Sequence, residues 1–197
     1  LRLINIALFT ASLPLFRRLL LRTGASKALV HSCLAVFILI PIVPLLAAEI
    51  NYDNLVLPMV ALSLLLTNNV ASSLAKKQLD VRRLLQLLVV CFFTSIVKYA
   101  FLPLFLVIVI YLAYKIIKTF GYKQKLWLAV KKSFRAIEMP LRALLVVVLV
   151  IFAGLFIERD GMNILRYHRP APDCADVLTV QQCSSYGPWN RDYYLAL

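Results

Sequence analysis

The sequence predicts an all-α, polytopic integral membrane protein with a short-helix hairpin, a cytoplasmic interfacial helix and a small disulfide-bonded external tail. Hydrophobic residues make up 62% of the chain and charged residues 16%, whereas ordinary soluble domains carry about 25% charged residues. Several apolar runs approach the roughly 20 residues that cross a bilayer as a helix. No strand-type alternation typical of membrane barrels accompanies them, so helices are expected to satisfy the backbone hydrogen bonds.

The net charge of +13 does not indicate a nucleic-acid partner, because the basic residues form short clusters between the apolar runs. The positive-inside rule places such clusters in the cytoplasm. All but six of the 22 Lys and Arg residues fall on segments that this rule assigns to the cytoplasmic side. The six others are Arg2, Lys98, Arg159, Arg166, Arg169 and Arg191. The distribution predicts a C-terminal tail outside the cytoplasm.

Six apolar segments are predicted to enter or cross the membrane, in a transmembrane domain over residues 1–157. They cover residues 3–16, 28–48, 55–75, 84–98, 103–118 and 140–157. The first is short, and the chain begins at Leu1 without a Met. We therefore expect the sequence to be a fragment that begins inside a longer protein. Residues 158–197 are expected to form a polar, irregular extracytoplasmic segment.

The run from Leu84 to Lys118 is too long for one crossing. Its 35 residues would form a helix of about 52 Å, against a hydrocarbon core of about 30 Å. Basic residues stand at both ends, which favours a hairpin of two short helices. Pro103, which lacks an N–H, suits a turn near residues 98–103. The alternative is one tilted, kinked helix with Lys98 buried in mid-span.

Residues 120–138 have an amphipathic pattern. The apolar positions near one face are Leu126, Trp127, Val130, Phe134 and Ile137, and the basic positions around the rest are Lys123, Lys125, Lys131, Lys132 and Arg135. A basic amphipathic helix lies along an anionic cytoplasmic leaflet. We therefore expect anionic lipids as its partner, with an ordinary solvated connector as the alternative.

Two cysteines, Cys174 and Cys183, lie nine positions apart in the tail. Outside the cytoplasm such a pair can oxidise, which predicts a small disulfide loop. Zinc is the competing interpretation, but these cysteines and the nearby His168 lack the spacing of a zinc site. No metal site is expected here.

Four polar residues form a corner before the third apolar run: Glu49, Asn51, Asp53 and Asn54. Such a group can bind a divalent cation, orient a hydroxyl or take a proton from it. The structural alternative is a polar loop in which Asp53 or Asn54 caps the following helix. No cofactor is predicted beyond this possible cation, and no Gly-rich phosphate loop is present.

Lys98 and Tyr99 are the second candidate site. A cation near the outer turn of a membrane hairpin is a functional hypothesis by default, and it could hold a lipid phosphate. The alternative is a lysine that extends to the outer head groups without a ligand.

Three stretches resemble a known superfamily. Residues 48–55, Ala-Glu-Ile-Asn-Tyr-Asp-Asn-Leu, resemble the Asn-x-Asp-Asn-Leu stretch of bacterial polytopic GT-C glycosyltransferases. Residues 95–99, Ser-Ile-Val-Lys-Tyr, followed by Leu-Pro-Leu at 102–104, resemble their Thr-Lys-Tyr segment. The tail, with Pro172-x-Cys174 and Cys183-x-x-Tyr186-Gly187-Pro188, is similar to an external segment of uncharacterised members. The resemblance covers most of residues 28–190 and points to a glycosyltransferase of the family 39 type.

The resemblance implies an enzyme of the bacterial inner membrane that transfers a sugar from a polyprenyl-phosphate carrier to an external acceptor. It implies Asp53 and Glu49 at the rim of the active site, and Asn51, Asn54, Lys98 and Tyr99 as substrate-binding residues. One departure matters, because the superfamily's best-known catalytic acid lies in a first external loop that would precede Leu1. A non-catalytic subunit of a membrane complex and a lipid or solute transporter are the alternative functions.

Overall fold

A computed structural model describes residues 2–48, 53–121, 124–169, 172–179 and 182–183. Helices contain 87% of these residues, and the described part holds no strand, which confirms the all-α class. Four helices are long and apolar enough to cross a membrane: Arg2–Arg22, Asn54–Ala75, Tyr99–Phe120 and Met139–Tyr167. The chain is therefore that of a multi-pass membrane protein. It divides into two compact units, Leu1–Ala153 and Gly154–Leu197.

The first unit contains helices α1 to α8. Their bounds are α1 Arg2–Arg22, α2 Lys27–Leu39, α3 Ile42–Ala48, α4 Asp53–Ala75, α5 Val81–Val97, α6 Leu102–Phe120, α7 Gln124–Arg135 and α8 Met139–Phe156. A 3-10 turn, Tyr99–Phe101, precedes α6 directly. The second unit contains α9, Met162–Tyr167, and α10, Cys174–Val177.

Two of the expected segments have different bounds. Helix α1 continues past the expected end at residue 16, because Leu19, Leu20 and Leu21 prolong the apolar run. Arg22 lies in the last turn, where the helix dipole favours a cation. The expected segment 28–48 is two helices, separated at Ile40 and Pro41. Ile40 has extended backbone (φ −65°, ψ 117°), as the residue before a proline prefers.

The side-chain contacts give the direction of the first four helices. The rings of Phe9 and Phe37 have centroids 6.2 Å apart, and Arg17 Nε donates to His31 Nε2 at 3.1 Å. Helices α1 and α2 are therefore antiparallel. Helices α1 and α4 pack along each other, and Arg22 Nη1 at the end of α1 donates to Oδ1 of Asn69 near the end of α4. The two helices therefore run parallel and end on the same side.

Helices α5 and α6 form the predicted hairpin. Phe92 and Phe105 meet edge to face with centroids 5.1 Å apart. At the other end of the pair, Leu84 and Ile116 line the same groove. Two antiparallel helices thus replace the single kinked helix that was the alternative. With α4 they enclose the main hydrophobic core, which buries Val70, Leu74, Leu79, Val81, Leu87, Cys91, Phe101, Phe105, Ile108, Leu112 and Ile137.

Local hydrogen bonds set both ends of α5. Asp80 caps its start, where its carboxylate accepts from the Arg83 N–H at 3.1 Å. At the far end Lys98 is extended (φ −145°, ψ 114°), and its N–H donates to the Thr94 carbonyl at 2.9 Å. Pro103 is the second residue of α6, where the missing N–H costs no helical hydrogen bond.

Helix α7 packs against the end of the α5–α6 pair. Ser133 Oγ accepts from the Val81 N–H at 3.0 Å, and Ile137 is buried in the main core. Most of the expected apolar stripe, namely Leu126, Val130 and Phe134, is partly buried against this core. Trp127 is the exception, since 66% of it is exposed. Protein packing therefore occupies most of the face that the sequence suggested for lipid.

Helix α8 runs parallel to α5, because Arg82 and Leu141 line one cleft at the starts of the two helices, and the rings of Phe93 and Phe152 lie 5.3 Å apart nearer their ends. No side chain of α8, Met139–Phe156, is buried in the described structure. Beyond it the backbone stays helical through a π-turn, Ile157–Gly161, to Tyr167. The expected irregular segment from Glu158 is thus wrong over its first ten residues, since the backbone hydrogen bonding of the apolar helix continues past its polar end.

In the second unit Cys174 and Cys183 form the predicted disulfide, with Cα atoms 5.8 Å apart. Both residues are buried. The short helix α10 has a capping box in which the Asp173 N–H donates to Asp176 Oδ2 at 3.0 Å. Arg169 pairs with Asp173 and lies 3.7 Å from Asp176.

Candidate functional site

The helix directions gather the basic residues of the first unit at one end. This basic end carries Arg17, Arg18, Arg22, Lys27, Lys76, Lys77, Arg82, Arg83, Lys115, Lys118, Lys125, Lys131, Lys132, Arg135 and Arg142. The other end, here named the turn end, contains the start of α1, the end of α3, the start of α4 and the turn between α5 and α6. Among the described residues of this unit, the turn end carries two cations, Arg2 and Lys98.

The described part of the polar corner, Asp53 and Asn54, begins α4 at the turn end. Asp53 is the first residue of α4, although its side chain, like Glu49 and Asn51, lies outside the described residues. Asn54 follows within the helix and is 4% exposed. The residue has an interaction partner. Asn54 is therefore a structural part of the α4 end rather than a residue of a solvated loop.

Lys98 and Tyr99 form the break between α5 and α6. Lys98 is half-buried and has an interaction partner, and Tyr99 is 53% exposed. Helix α5 has 17 residues and α4 has 23, and the adjoining ends of the two pack together near Leu74 and Val81. Because α5 is six residues shorter, its axis is about 9 Å shorter than that of α4. A lysine at the turn of a membrane hairpin is a candidate functional residue.

An apolar groove runs along the α5–α6 hairpin. It has a volume of about 180 Å³ and contains no polar lining atom. Its walls are Leu84, Leu87, Leu88, Cys91, Phe105, Ile108, Val109, Leu112, Ala113 and Ile116. Sequence reasoning missed this feature, because helix periodicity shows which residues share a face but not whether two faces close fully.

A second, polar cleft lies at the basic end, where α5 begins and α7 leads into α8. Asp80, Arg82, Ser133 and Glu138 line it. Asp80 is already engaged there, because its carboxylate lies 3.1 Å from Arg83 Nε and caps α5. Both partners are partly exposed, so the pair contributes less than about 1 kcal/mol. This cleft holds none of the residues that the sequence suggested for a site.

Asp160 is a polar residue that sequence reasoning did not single out. It lies in the π-turn of the second unit and is 2% exposed, and its Oδ2 has no hydrogen-bond partner in the described structure. No sequence signal distinguished it, because it directly follows Glu158 and Arg159 in a charged run. Across the described residues, no group of three or more His, Cys, Asp or Glu side chains could hold a metal ion.

The fold and these sites define an all-α, multi-pass membrane protein with a hairpin of short helices and a disulfide-bonded C-terminal unit. No protein-family model, curated protein or solved structure matches the chain.

Proposed function

We propose that the chain is part of a membrane glycosyltransferase, which moves a sugar from a polyprenyl-phosphate carrier to an acceptor outside the cytoplasm. One observation carries this proposal: the antiparallel order of α4, α5 and α6 brings Asp53, Asn54, Lys98 and Tyr99 to the same end of the bundle. These are the residues whose motifs resemble those of the GT-C superfamily. The opposite end is basic, as expected for a cytoplasmic face.

In the proposed reaction, Asp53 or Glu49 takes the proton of the acceptor hydroxyl. The acceptor oxygen then attacks the anomeric carbon of the sugar, and the bond between that carbon and the phosphate oxygen breaks. The lipid phosphate leaves with the bonding electrons, and Lys98 and Tyr99 stabilise its charge. Asn51 orients the acceptor, the buried Asn54 supports the start of α4 beside it, and a divalent cation at the corner would also orient the acceptor.

The proposal also specifies which end of the bundle faces outward and which membrane holds the protein. The turn end faces outward from a bacterial inner membrane, and the C-terminal tail is extracytoplasmic, as the distribution of Lys and Arg predicts. The basic end meets anionic lipids. Helix α7 supports this partner, because Trp127 and Leu128 are exposed beside the exposed cations Lys131 and Lys132, a pattern of helices at membrane surfaces.

A transfer assay tests the proposal. Membranes that contain the full-length protein receive radiolabelled polyprenyl-phosphate sugars, and wild type is compared with Asp53→Asn. Loss of a general base is expected to lower transfer by about 100-fold or more. Asp80→Asn is the matched control, because it makes the same change at the basic end and keeps the helix cap. Equal transfer by Asp53→Asn and wild type would remove Asp53 from the site.

The exposed apolar surface of α8 favours a second candidate function, that of a non-catalytic subunit of a membrane complex. That helix buries no side chain within the described structure, and it exposes Leu144, Val147, Val150 and Ile151. A helix that is apolar all round belongs either in lipid or against another protein. If no donor supports transfer by folded protein, co-purification of a stoichiometric membrane partner that α8 variants release would establish this alternative. Uptake of a lipid or solute into proteoliposomes without sugar transfer would indicate a transporter.

A further inference from the structure

We infer that the apolar groove between α5 and α6 binds one acyl chain of an anionic glycerophospholipid, whose phosphate is held at the basic end by Arg83 and Lys115. The inference rests on the proposed contact between the basic end and anionic lipids, and it does not depend on the proposed sugar transfer. It assigns that lipid partner a particular site on the hairpin.

The groove suits a hydrocarbon chain. Its volume of about 180 Å³ exceeds the roughly 150 Å³ of an apolar cavity that binds benzene in another protein. Every lining atom is apolar, so water in the groove would find no hydrogen-bond partner. An empty groove would leave the contacting side chains without dispersion partners on one side.

A lipid chain can reach the groove from the bilayer. Val109 lines it and is 42% exposed, whereas Leu87, Cys91 and Ile108 on its inner wall are buried. The groove is therefore a slot on the side of the hairpin rather than an enclosed cavity. A chain that enters sideways needs no opening of the helix pair.

The groove has the length of one leaflet. Its lining on α6 extends from Ile116 to Phe105, which corresponds to about 16 Å along the helix axis. One leaflet contributes about 15 Å of hydrocarbon, which is half of a core of about 30 Å. An acyl chain whose head group lies at the basic end would therefore fill the groove and end near Cys91 and Phe105.

Cations flank the end of the groove that lies at the basic end. Arg83 directly precedes Leu84, and Lys115 directly precedes Ile116. Leu84 and Ile116 are the lining residues nearest to that end, one on each helix of the hairpin. The two cations therefore stand on facing helices beside the place where the chain would meet its head group.

Both cations can donate to a phosphate group. Arg83 Nε pairs with Asp80 Oδ2 at 3.1 Å, and 45% of the arginine side chain is exposed. The terminal nitrogens of a guanidinium can form further charge-assisted hydrogen bonds to phosphate. Lys115 Nζ lies 5.7 Å from the centre of the Tyr111 ring. This cation–π contact involves no acceptor atom, so the ammonium N–H groups remain donors.

Charge complementarity selects an anionic head group. Among the described residues of the basic end, Asp80 and Glu138 are the two carboxylates against a large excess of Lys and Arg. A phosphatidylcholine head group would add its own cation to this excess, whereas phosphatidylglycerol adds negative charge alone. Each basic residue near an anionic membrane surface favours such a lipid.

Photo-crosslinking of the full-length protein tests the inference. The protein is reconstituted in phosphatidylcholine liposomes with a small fraction of phosphatidylglycerol that carries a diazirine in one acyl chain. Labelled residues are identified by mass spectrometry and are expected within residues 84–116. A phosphatidylcholine probe with the same chain is the matched control. It is expected to label these residues about tenfold less, because it lacks the net charge that the two cations attract.

The position of the diazirine tests the direction of the chain. A diazirine close to the ester carbonyl is expected to label Leu84 and Ile116, at the basic end of the groove. A diazirine near the end of the chain is expected to label Cys91 and Phe105. The reverse order would place the head group at the turn end and overturn the inference.

Paired substitutions test the two cations. Arg83→Gln with Lys115→Gln is expected to lower labelling by phosphatidylglycerol about tenfold, to the level of the phosphatidylcholine probe. Arg83→Lys with Lys115→Arg is expected to retain labelling. Arg18→Gln with Lys27→Gln is the matched control, because it removes two charges from the basic end on α1 and α2. This control pair is expected to behave like wild type.

Filling the groove tests the chain site. Val109→Trp is expected to lower labelling about tenfold, since several methylene contacts are lost. Val107→Trp is its control, because Val107 lies on the same helix, is 60% exposed and does not line the groove. If Val109→Trp misfolds, judged by its elution in size-exclusion chromatography, Ala113→Phe fills the same groove from the next turn.

Three further outcomes would overturn the inference: equal labelling of the groove by the two probes, equal labelling of the glutamine pair and its control, or equal labelling of the two tryptophan variants. Phosphatidylglycerol labels confined to α7 would keep the contact of the basic end with anionic lipids and reject the groove as their site. Sugar transfer is measured separately, so groove labelling without transfer would keep this site and reject the proposed reaction.

Discussion

Phe92 and Phe105 pack edge to face across the α5–α6 hairpin, with ring centroids 5.1 Å apart and an interplanar angle of 82°. The two rings are 13 positions apart in the chain, with the extended residue Lys98 between them. Their contact requires the chain to reverse at Lys98. Because it reverses, both basic flanks of this apolar run, at Arg82 and Lys118, reach the same end of the bundle.

The reversal predicts the sidedness of three positions. In a background with Cys33 and Cys91 replaced by Ala, Arg83→Cys and Lys118→Cys are expected to react with a membrane-impermeant maleimide from one side. Tyr99→Cys is expected to react from the other, because it lies at the turn. Labelling in right-side-out and inverted vesicles provides the measurement. If positions 83 and 118 react from opposite sides, the run is one crossing and the hairpin is wrong.

Phe105 is expected to stabilise the bundle, because it packs against Phe92 and lines the main core. Phe105→Ala should lower the free energy of unfolding by about 3 kcal/mol, from lost burial and the cavity that remains. Unfolding in mild detergent, followed by circular dichroism, measures the loss. The neighbouring substitution Leu106→Ala is the control, since Leu106 is 61% exposed and should change stability little.

The cap at Asp80 is expected to contribute a smaller amount. Its carboxylate accepts the Arg83 N–H at 3.1 Å, so Asp80→Ala should cost about 1 kcal/mol of stability. Asp80→Asn retains a capping oxygen and should stay close to wild type in the same detergent unfolding experiment. If both variants lose stability equally, the Asp80–Arg83 ion pair rather than the cap is responsible.

The Cys174–Cys183 disulfide is expected to stabilise the second unit locally. Replacing both cysteines with Ser should cost that unit about 3 kcal/mol, since the bond closes a short loop. Limited proteolysis should then cut near α10 much faster, and reduction of the wild type should have the same effect. Unfolding of residues 1–153 serves as the internal control. A uniform loss of stability in both units would show that the disulfide supports more than the tail.

Helix α7 is expected to sense anionic lipid through Lys131 and Lys132. Each basic residue near an anionic membrane surface contributes about 1 kcal/mol, so Lys131→Gln with Lys132→Gln should withdraw Trp127 from the bilayer. Quenching of Trp127 by brominated lipids, in nanodiscs and with Trp189→Phe to remove the second signal, measures the depth. Neutral nanodiscs are the control, in which the variant should match wild type. Equal quenching in anionic nanodiscs would assign α7 to protein packing alone.

Much of the fold could be predicted because membrane proteins encode it in simple patterns. The apolar runs predicted the helices, since a bilayer requires every backbone polar group to be bonded within its own segment. The length of residues 84–118 and their two basic flanks predicted the reversal at Lys98. The nine-residue spacing of Cys174 and Cys183 predicted a loop that their Cα separation of 5.8 Å accommodates.

Other features depended on partners that lie far away in the chain. The break at Ile40 follows from the local backbone preference before Pro41. The packing of both α2 and α3 along α1 depends instead on the distant helix. Most of the apolar face of α7 packs against the main core instead of facing lipid, which periodicity alone cannot distinguish. The same holds for the helical continuation through Asp160, whose carboxylate is buried in the second unit.

The sequence by itself determined the class, the rough extent of the long apolar helices, the position of the basic clusters between them and the cysteine pair, because each follows from local composition or spacing. The tertiary structure alone decided which helices run parallel, which polar residues share the turn end, and that α5 and α6 leave a groove between them. Those properties arise from how side chains 10 to 60 positions apart fill space against one another. Packing of that kind is set by the shapes of both partners, and no single stretch of sequence contains it.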